Sequence, residues 1–284
     1  MNKLFLTVFL VCAILLCGCA DNAPKETIPT ELPTISETEP LTEPPTEAPT
    51  EPPTEPIVYL DIESGSYLEK FTDPDTASYL DYYIHIPNNA TADMPLLVFL
   101  HGDGEVAKPW ALENYGPIAA AREIYGEEFP FIAVFPCTRM QSWTYGNIPN
   151  TLMGLIEYIA DEYQIDRNQI MLTGHSRGSM GVWHMISMYG SYFSCAVPIS
   201  CGPEYTMDYE MASQVTIRAV VGMVGELEGN YGRAMQRTID AIIEAGGTAE
   251  IIILEDLAHE QTSTATYTEE MFEWMLAQKK ENSQ

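Results

Sequence analysis

Ile170-Met171-Leu172-Thr173-Gly174-His175-Ser176-Arg177-Gly178 reads as an apolar strand running into Gly-x-Ser-x-Gly, with the helix-compatible stretch Ser179–Tyr189 behind it. Such a strand–turn–helix forces the serine into a strained turn, and glycines on either side remove side chains that would collide with strand and helix. The turn exposes the serine oxygen and sets the next residue's N–H at the positive end of a helix. The five-residue pattern alone is weak, since chance supplies roughly 0.1 match in a chain this long. Its placement between strand and helix makes Ser176 the candidate nucleophile.

Outward from this point, strand-length apolar runs alternate with helix-length amphipathic ones. Tyr82–Ile86, Leu96–Leu100, Phe131–Phe135, Ile170–Thr173, Cys195–Ile199, Ile217–Val221 and Ala249–Leu254 read as strands. Near-continuous apolar strands separated by helices indicate a parallel sheet covered on both faces. Residues 149–163 put Leu152, Leu155, Ile156 and Ile159 on one helical face. Residues 230–245 put Met235, Ile239, Ile242 and Ile243 on another, with Gly246-Gly247 as the stop. The expected fold is α/β: a doubly wound, mostly parallel sheet with an antiparallel edge and helices on both faces. In such sheets the active site lies at the carboxyl ends of the strands.

Histidines can be sorted by that rule. His85 falls inside a strand, and His175 precedes the nucleophile and is expected to point away from the reacting group. His184 lies two helical turns beyond Ser176, about 12 Å along the axis. His101 ends a strand and is assigned another role. His259, in Leu254-Glu255-Asp256-Leu257-Ala258-His259, follows the last strand at the correct end of the sheet and is the expected general base. The acid should hang from the loop after Ile217–Val221, which reads Gly222-Met223-Val224-Gly225-Glu226-Leu227-Glu228; Glu226 is favoured, with Glu228 the alternative. Its task is to accept the imidazole N–H and fix the tautomer. The Gly-rich run His101-Gly102-Asp103-Gly104 offers backbone donors, so the amides of Asp103 and Arg177 are the expected oxyanion site.

Taken in order, these pieces resemble the α/β-hydrolase superfamily, and within it bacterial esterases of the polyhydroxybutyrate depolymerase, feruloyl esterase and prolyl oligopeptidase-like group. The resemblance covers roughly residues 65–278. It includes Tyr83-Ile84-His85-Ile86-Pro87, Leu97-Val98-Phe99-Leu100-His101-Gly102, Phe135-Pro136-Cys137 with Trp143 downstream, Val197-Pro198-Ile199-Ser200-Cys201-Gly202 and the final Ala258-His259. It implies a serine esterase working through an acyl-enzyme; a serine triad needs no cofactor, and the sequence shows no metal-ligand cluster, so neither cofactor nor metal is expected. Relatives usually carry His-Gly followed by Asp after the penultimate strand, where this chain has Val221-Gly222-Met223-Val224-Gly225-Glu226. By the same resemblance Trp143 is either a platform for an acyl group or sugar ring, or a buried structural tryptophan.

Composition divides the 284 residues into three segments. Residues 1–19 carry one lysine, an apolar stretch from Leu4 to Leu16 and then Cys17-Gly18-Cys19, a secretory signal whose end resembles a bacterial lipobox with Cys19 as the lipid-attachment residue. Residues 20–56 hold ten of the twenty prolines and no aromatic residue, and read as a disordered Thr/Glu/Pro-rich spacer. At about 3.1 Å per residue it reaches at most about 110 Å. Residues 57–284 are the expected catalytic domain and hold 32 of the 41 acidic and 11 of the 13 basic residues. A charge this negative argues against nucleic acid as a partner. The partner expected instead is an ester substrate, possible linkage to a polysaccharide included, and the membrane is met only through the lipid anchor. Cys137, Cys195 and Cys201 are odd in number and lack metal-ligand spacing, so they are read as mostly structural, although a Cys137–Cys201 bridge is conceivable. The competing readings are an exported serine peptidase and a surface binding lipoprotein with an impaired triad.

Overall fold

The computed structural model describes residues 58–103, 114–139, 141–203, 212–217 and 219–280. The expected signal peptide, Cys19 and the spacer lie outside them. Among the described residues no helix is long and apolar enough to cross a membrane.

Eight strands form one sheet: β1 (Gly65–Thr72), β2 (Tyr79–Ile86), β3 (Leu96–Leu100), β4 (Ile132–Cys137), β5 (Ile170–His175), β6 (Cys195–Ile199), β7 (Val220–Gly225) and β8 (Ala249–Leu254). Their order across the sheet is β1-β2-β4-β3-β5-β6-β7-β8. The β1–β2 and β2–β4 pairs are antiparallel, and every other neighbouring pair is parallel. Among the described residues the α-helices are α1 (Gly116–Tyr125), α2 (Ile148–Glu162), α3 (Arg177–Tyr189), α4 (Asn230–Glu244), α5 (His259–Thr266) and α6 (Glu269–Ala277). The expected doubly wound sheet with an antiparallel edge is the one observed.

Side chains on successive strand residues point to opposite faces, and each face has its own core. Leu96, Val98 and Leu100 of β3 pack in the layer that also holds Leu152 of α2, Val182 of α3 and Ile239 of α4. Leu97 and Phe99 pack in the other, with Ile118 of α1 and Phe272 of α6. The central strands β3 to β7 are buried along their whole length because both faces are covered. At the edge, β1 is largely exposed and alternates only weakly.

Three expectations need correction. Strand β7 begins at Val220 rather than Ile217 and runs to Gly225, pairing residue for residue with β8 from Val220↔Ala249 to Gly225↔Leu254. Gly222 and Gly225, expected in a loop, are therefore strand residues. A Cβ at Gly222 would come within 2.7 Å of the Met235 sulfur, and one at Gly225 within 2.3 Å of the Leu257 carbonyl oxygen, so both glycines admit close neighbours. Finally, Ile243 of α4 lies 53% exposed, off the buried stripe of Met235, Ile239 and Ile242. The three cysteines Cys137, Cys195 and Cys201 are free and buried, so the conceivable Cys137–Cys201 bridge is not formed.

Candidate active site

Ser176 sits between β5 and α3 with φ 56° and ψ −116°, a left-handed backbone that costs a non-glycine residue about 1–3 kcal/mol. The surroundings leave it no alternative. A Cβ on Gly178 would lie 1.8 Å from the Leu100 carbonyl oxygen, and one on Gly174 would lie 2.8 Å from that oxygen and from the Gly178 backbone. The Ser176 N–H donates to the Ile199 carbonyl at 2.9 Å, tying the turn to β6. Arg177 then opens α3, where the first amides have no carbonyl of their own helix to meet.

His259 is the first residue of α5. Its Nε2 is 2.8 Å from Ser176 Oγ, and its Nδ1 is 2.6 Å from Glu228 Oε1. The expected serine and histidine are thus brought together, but the acid beside them is Glu228. Glu226, the favoured candidate, instead accepts the Asp256 N–H at 3.1 Å. The reason is the longer β7: it carries the chain to Gly225, and the 3-10 turn Glu226–Glu228 then swings the second glutamate inward.

The Glu228 side chain is completely buried. Its Oε2 accepts the Gly225 N–H at 2.6 Å and the Ser200 hydroxyl at 2.8 Å. With Oε1 given to His259, the carboxylate meets three donors, the condition for keeping a buried charge. Ser200 is itself held at φ 70°, with its N–H bonded to the Met223 carbonyl at 2.7 Å. Its hydroxyl also touches Thr262, whose Oγ donates to the His259 carbonyl at 2.8 Å.

The two oxyanion candidates meet through their side chains, the Arg177 guanidinium forming an ion pair with the Asp103 carboxylate. His101, just before this loop, is fully buried. Its Nδ1 faces the Gly102 carbonyl at 2.7 Å, and its Nε2 accepts the Thr138 N–H at 3.2 Å. Burial holds its pKa down to about 4, so the ring is a neutral structural strut.

Trp143 is fully buried. Its indole N–H donates to the His101 carbonyl at 3.0 Å, and its Cβ would lie 2.6 Å from a Cβ on Gly181. Of its two readings the structural one holds, because the ring presents no surface to a substrate. Among the described residues an exposed aromatic beside the base is Tyr231, in the first turn of α4, 43% exposed with its ring 4.9 Å from that of His259. Its only sequence signal was position, two residues past Gly229 and close after the acid. His175, expected to point away from the reacting group, meets the base rather than the serine. Its ring lies 4.8 Å from that of His259, on the site's buried side. Among the described residues no group of three or more His, Cys, Asp or Glu side chains gathers as a metal site.

Solved structures with this arrangement of strands include a thermostable esterase (TM-score 0.66, 24% identity, covering 76% of this chain and 63% of that one). They also include a mutant feruloyl esterase module from Clostridium thermocellum complexed with sinapinate (TM-score 0.59, 15% identity, 78% and 91%). The fold is the α/β-hydrolase fold. In sequence, the chain is 28% identical over 127 residues to a bifunctional acetylxylan esterase/xylanase of Neocallimastix patriciarum, covering 43% of this chain and 18% of that protein. It is 24% identical over 143 residues to acetylxylan esterase A of Emericella nidulans, covering 46% and 45%. The chain therefore spans less than half the length of these curated relatives. No family model matches it.

Proposed function

We propose that this α/β-hydrolase is a serine esterase that cleaves carboxylic esters through an acyl-enzyme. The observation that carries the reading is His259, placed between Ser176 Oγ at 2.8 Å and Glu228 Oε1 at 2.6 Å. Ser176 Oγ attacks the ester carbonyl carbon as its proton passes to His259 Nε2, and Glu228 stabilises the imidazolium. The carbonyl oxygen becomes an oxyanion held by the amides of Arg177 and Asp103. Collapse breaks the carbon–oxygen bond to the alcohol, which leaves with the proton from His259. Water, deprotonated by His259, then attacks the acyl-serine, releasing the acid and restoring Ser176.

The substrate class we propose is a carbohydrate carrying acetyl or feruloyl esters, supported by the sequence likeness to the acetylxylan esterases and to a feruloyl esterase B from Thermothelomyces thermophilus. Export, with lipidation at Cys19 and a spacer over residues 20–56, completes the proposal. It rests on the sequence of the first 56 residues.

The test is hydrolysis of p-nitrophenyl acetate, p-nitrophenyl butyrate and methyl ferulate by the protein and by its Ser176→Ala variant. Turnover should fall by about 10⁴-fold or more in the variant, and the acyl ranking then narrows the substrate. A folded wild-type protein without turnover on any of the three, or an equally active variant, overturns the reading in favour of a peptidase or a binding protein.

A further inference from the structure

His259 has a second set of contacts that the proton transfers do not use. His175, only 5% exposed, places its Nε2 2.9 Å from the His259 carbonyl oxygen and its Nδ1 3.1 Å from the Tyr115 hydroxyl. A carbonyl oxygen only accepts, so Nε2 must carry a proton. In a neutral ring the lone pair then lies on Nδ1, and the Tyr115 hydroxyl is the donor that meets it. The chain of donors runs one way, from Tyr115 to His175 to the backbone of His259.

Burial, and secondarily the His259 charge, hold the His175 pKa down to about 4. The ring therefore stays neutral while the neighbouring base works. That matters because the two rings are 4.8 Å apart, and a second cation there would oppose the imidazolium formed at each proton transfer. His259 is gripped from several sides: His175 and Thr262 donate to its carbonyl, and Tyr231 lies against its ring.

We infer that His175, with its tautomer set by Tyr115, is a positioning residue that holds the general base His259 in line with Ser176. The inference rests on the esterase reading. It assigns work to the first variable residue of Gly-x-Ser-x-Gly, which bonds the backbone of the base that the serine meets through its ring. A misplacement of the base by about 1 Å can cost about 10²-fold in rate, so a loosened His259 should lower kcat rather than weaken binding.

The experiment measures kcat and KM on p-nitrophenyl acetate for the full chain and for His175→Phe, His175→Gln, Tyr115→Phe and the double variant His175→Phe/Tyr115→Phe, with thermal unfolding of each. Labelling by a fluorophosphonate, lost in Ser176→Ala, checks the esterase reading separately. The expected results are a loss of kcat of about tenfold or more in His175→Phe with KM within about twofold. His175→Gln, whose side-chain amide can still donate to the carbonyl, should recover to within about threefold of wild type. Tyr115→Phe should lose severalfold, and the double variant should be no worse than His175→Phe alone, because the work assigned to Tyr115 is to set the His175 tautomer. Should His175→Phe fail to fold, the Tyr115→Phe loss and the His175→Gln recovery decide the matter. A kcat within twofold of wild type in His175→Phe or Tyr115→Phe overturns the inference. So does an effect confined to KM, full additivity in the double variant, or a Gln variant as damaged as Phe. Labelling that persists in Ser176→Ala, or turnover absent from the wild type, overturns the esterase reading itself.

Discussion

The two halves of the site are built by different physics. The serine half is fixed by exclusion: the Leu100 carbonyl lies so close to Gly178 that a single added carbon would overlap it at 1.8 Å, and Ser176 has one backbone shape available. The acid half is fixed by attraction, with Glu228 held by the Gly225 amide, the Ser200 hydroxyl and His259. Steric exclusion has no intermediate setting, whereas a network of hydrogen bonds can be thinned one bond at a time. The serine half should therefore fail abruptly and the acid half by degrees.

The largest effect expected is at Gly178. Gly178→Ala drives a methyl group into backbone that cannot retreat, so the protein should not accumulate in folded form, as read by circular dichroism and thermal unfolding. A folded, active variant would break the comparison. Next comes the acid. Glu228→Gln should lower kcat by about 10²–10⁴-fold with the fold retained, while Glu226→Gln should stay within about twofold of wild type. The reverse result would return the acid role to Glu226.

Acid stability follows. His101 and His175 both have pKa values lowered by burial from 6.5 to about 4. Below about pH 6.5 the unfolded chain takes up protons that the folded one refuses. Stability should therefore fall as pH drops from 6.5 to about 4, by at most roughly 3 kcal/mol per histidine. His101 belongs to the serine half and His175 spans the two, so His175→Gln should remove about half of that slope in urea unfolding followed across pH. The smallest effect is at Ser200. Ser200→Ala deletes one of the three donors to Glu228 and should cost about tenfold in kcat, with Ser176 still labelled by a fluorophosphonate but correspondingly more slowly.

The same contrast explains what could be read in advance. The nucleophile elbow was legible because its signature lies within five consecutive residues, Gly174 to Gly178, whatever backbone they pack against. Strands β3, β6 and β8 matched their apolar runs because burial on both faces, or pairing along a whole edge, marks such runs plainly. The acid was not legible at residue level. Whether Glu226 or Glu228 faces His259 depends on where β7 ends, and pairing with β8 decides that. The glycines at 222 and 225 looked like loop residues, although they serve close packing against Met235 and Leu257. Trp143 carried no sign of its burial, and α5, His259-Glu260-Gln261-Thr262-Ser263-Thr264-Ala265-Thr266, lacks an apolar stripe and is rich in poor helix formers.

Cys137, Cys195 and Cys201 stand in the sheet and just past it with their thiols intact, and burial pushes each to about 12. Folding of this domain consequently requires no oxidant, and recombinant protein made in a reducing cytoplasm needs no refolding in redox buffer. Thiolates are scarce at neutral pH in all three positions, so an alkylating reagent can attack only when the chain opens. The rate of carboxamidomethylation at each cysteine is then a clock for unfolding, with Cys201, which lies beside the Ser176 hydroxyl, timing the opening of the catalytic turn itself.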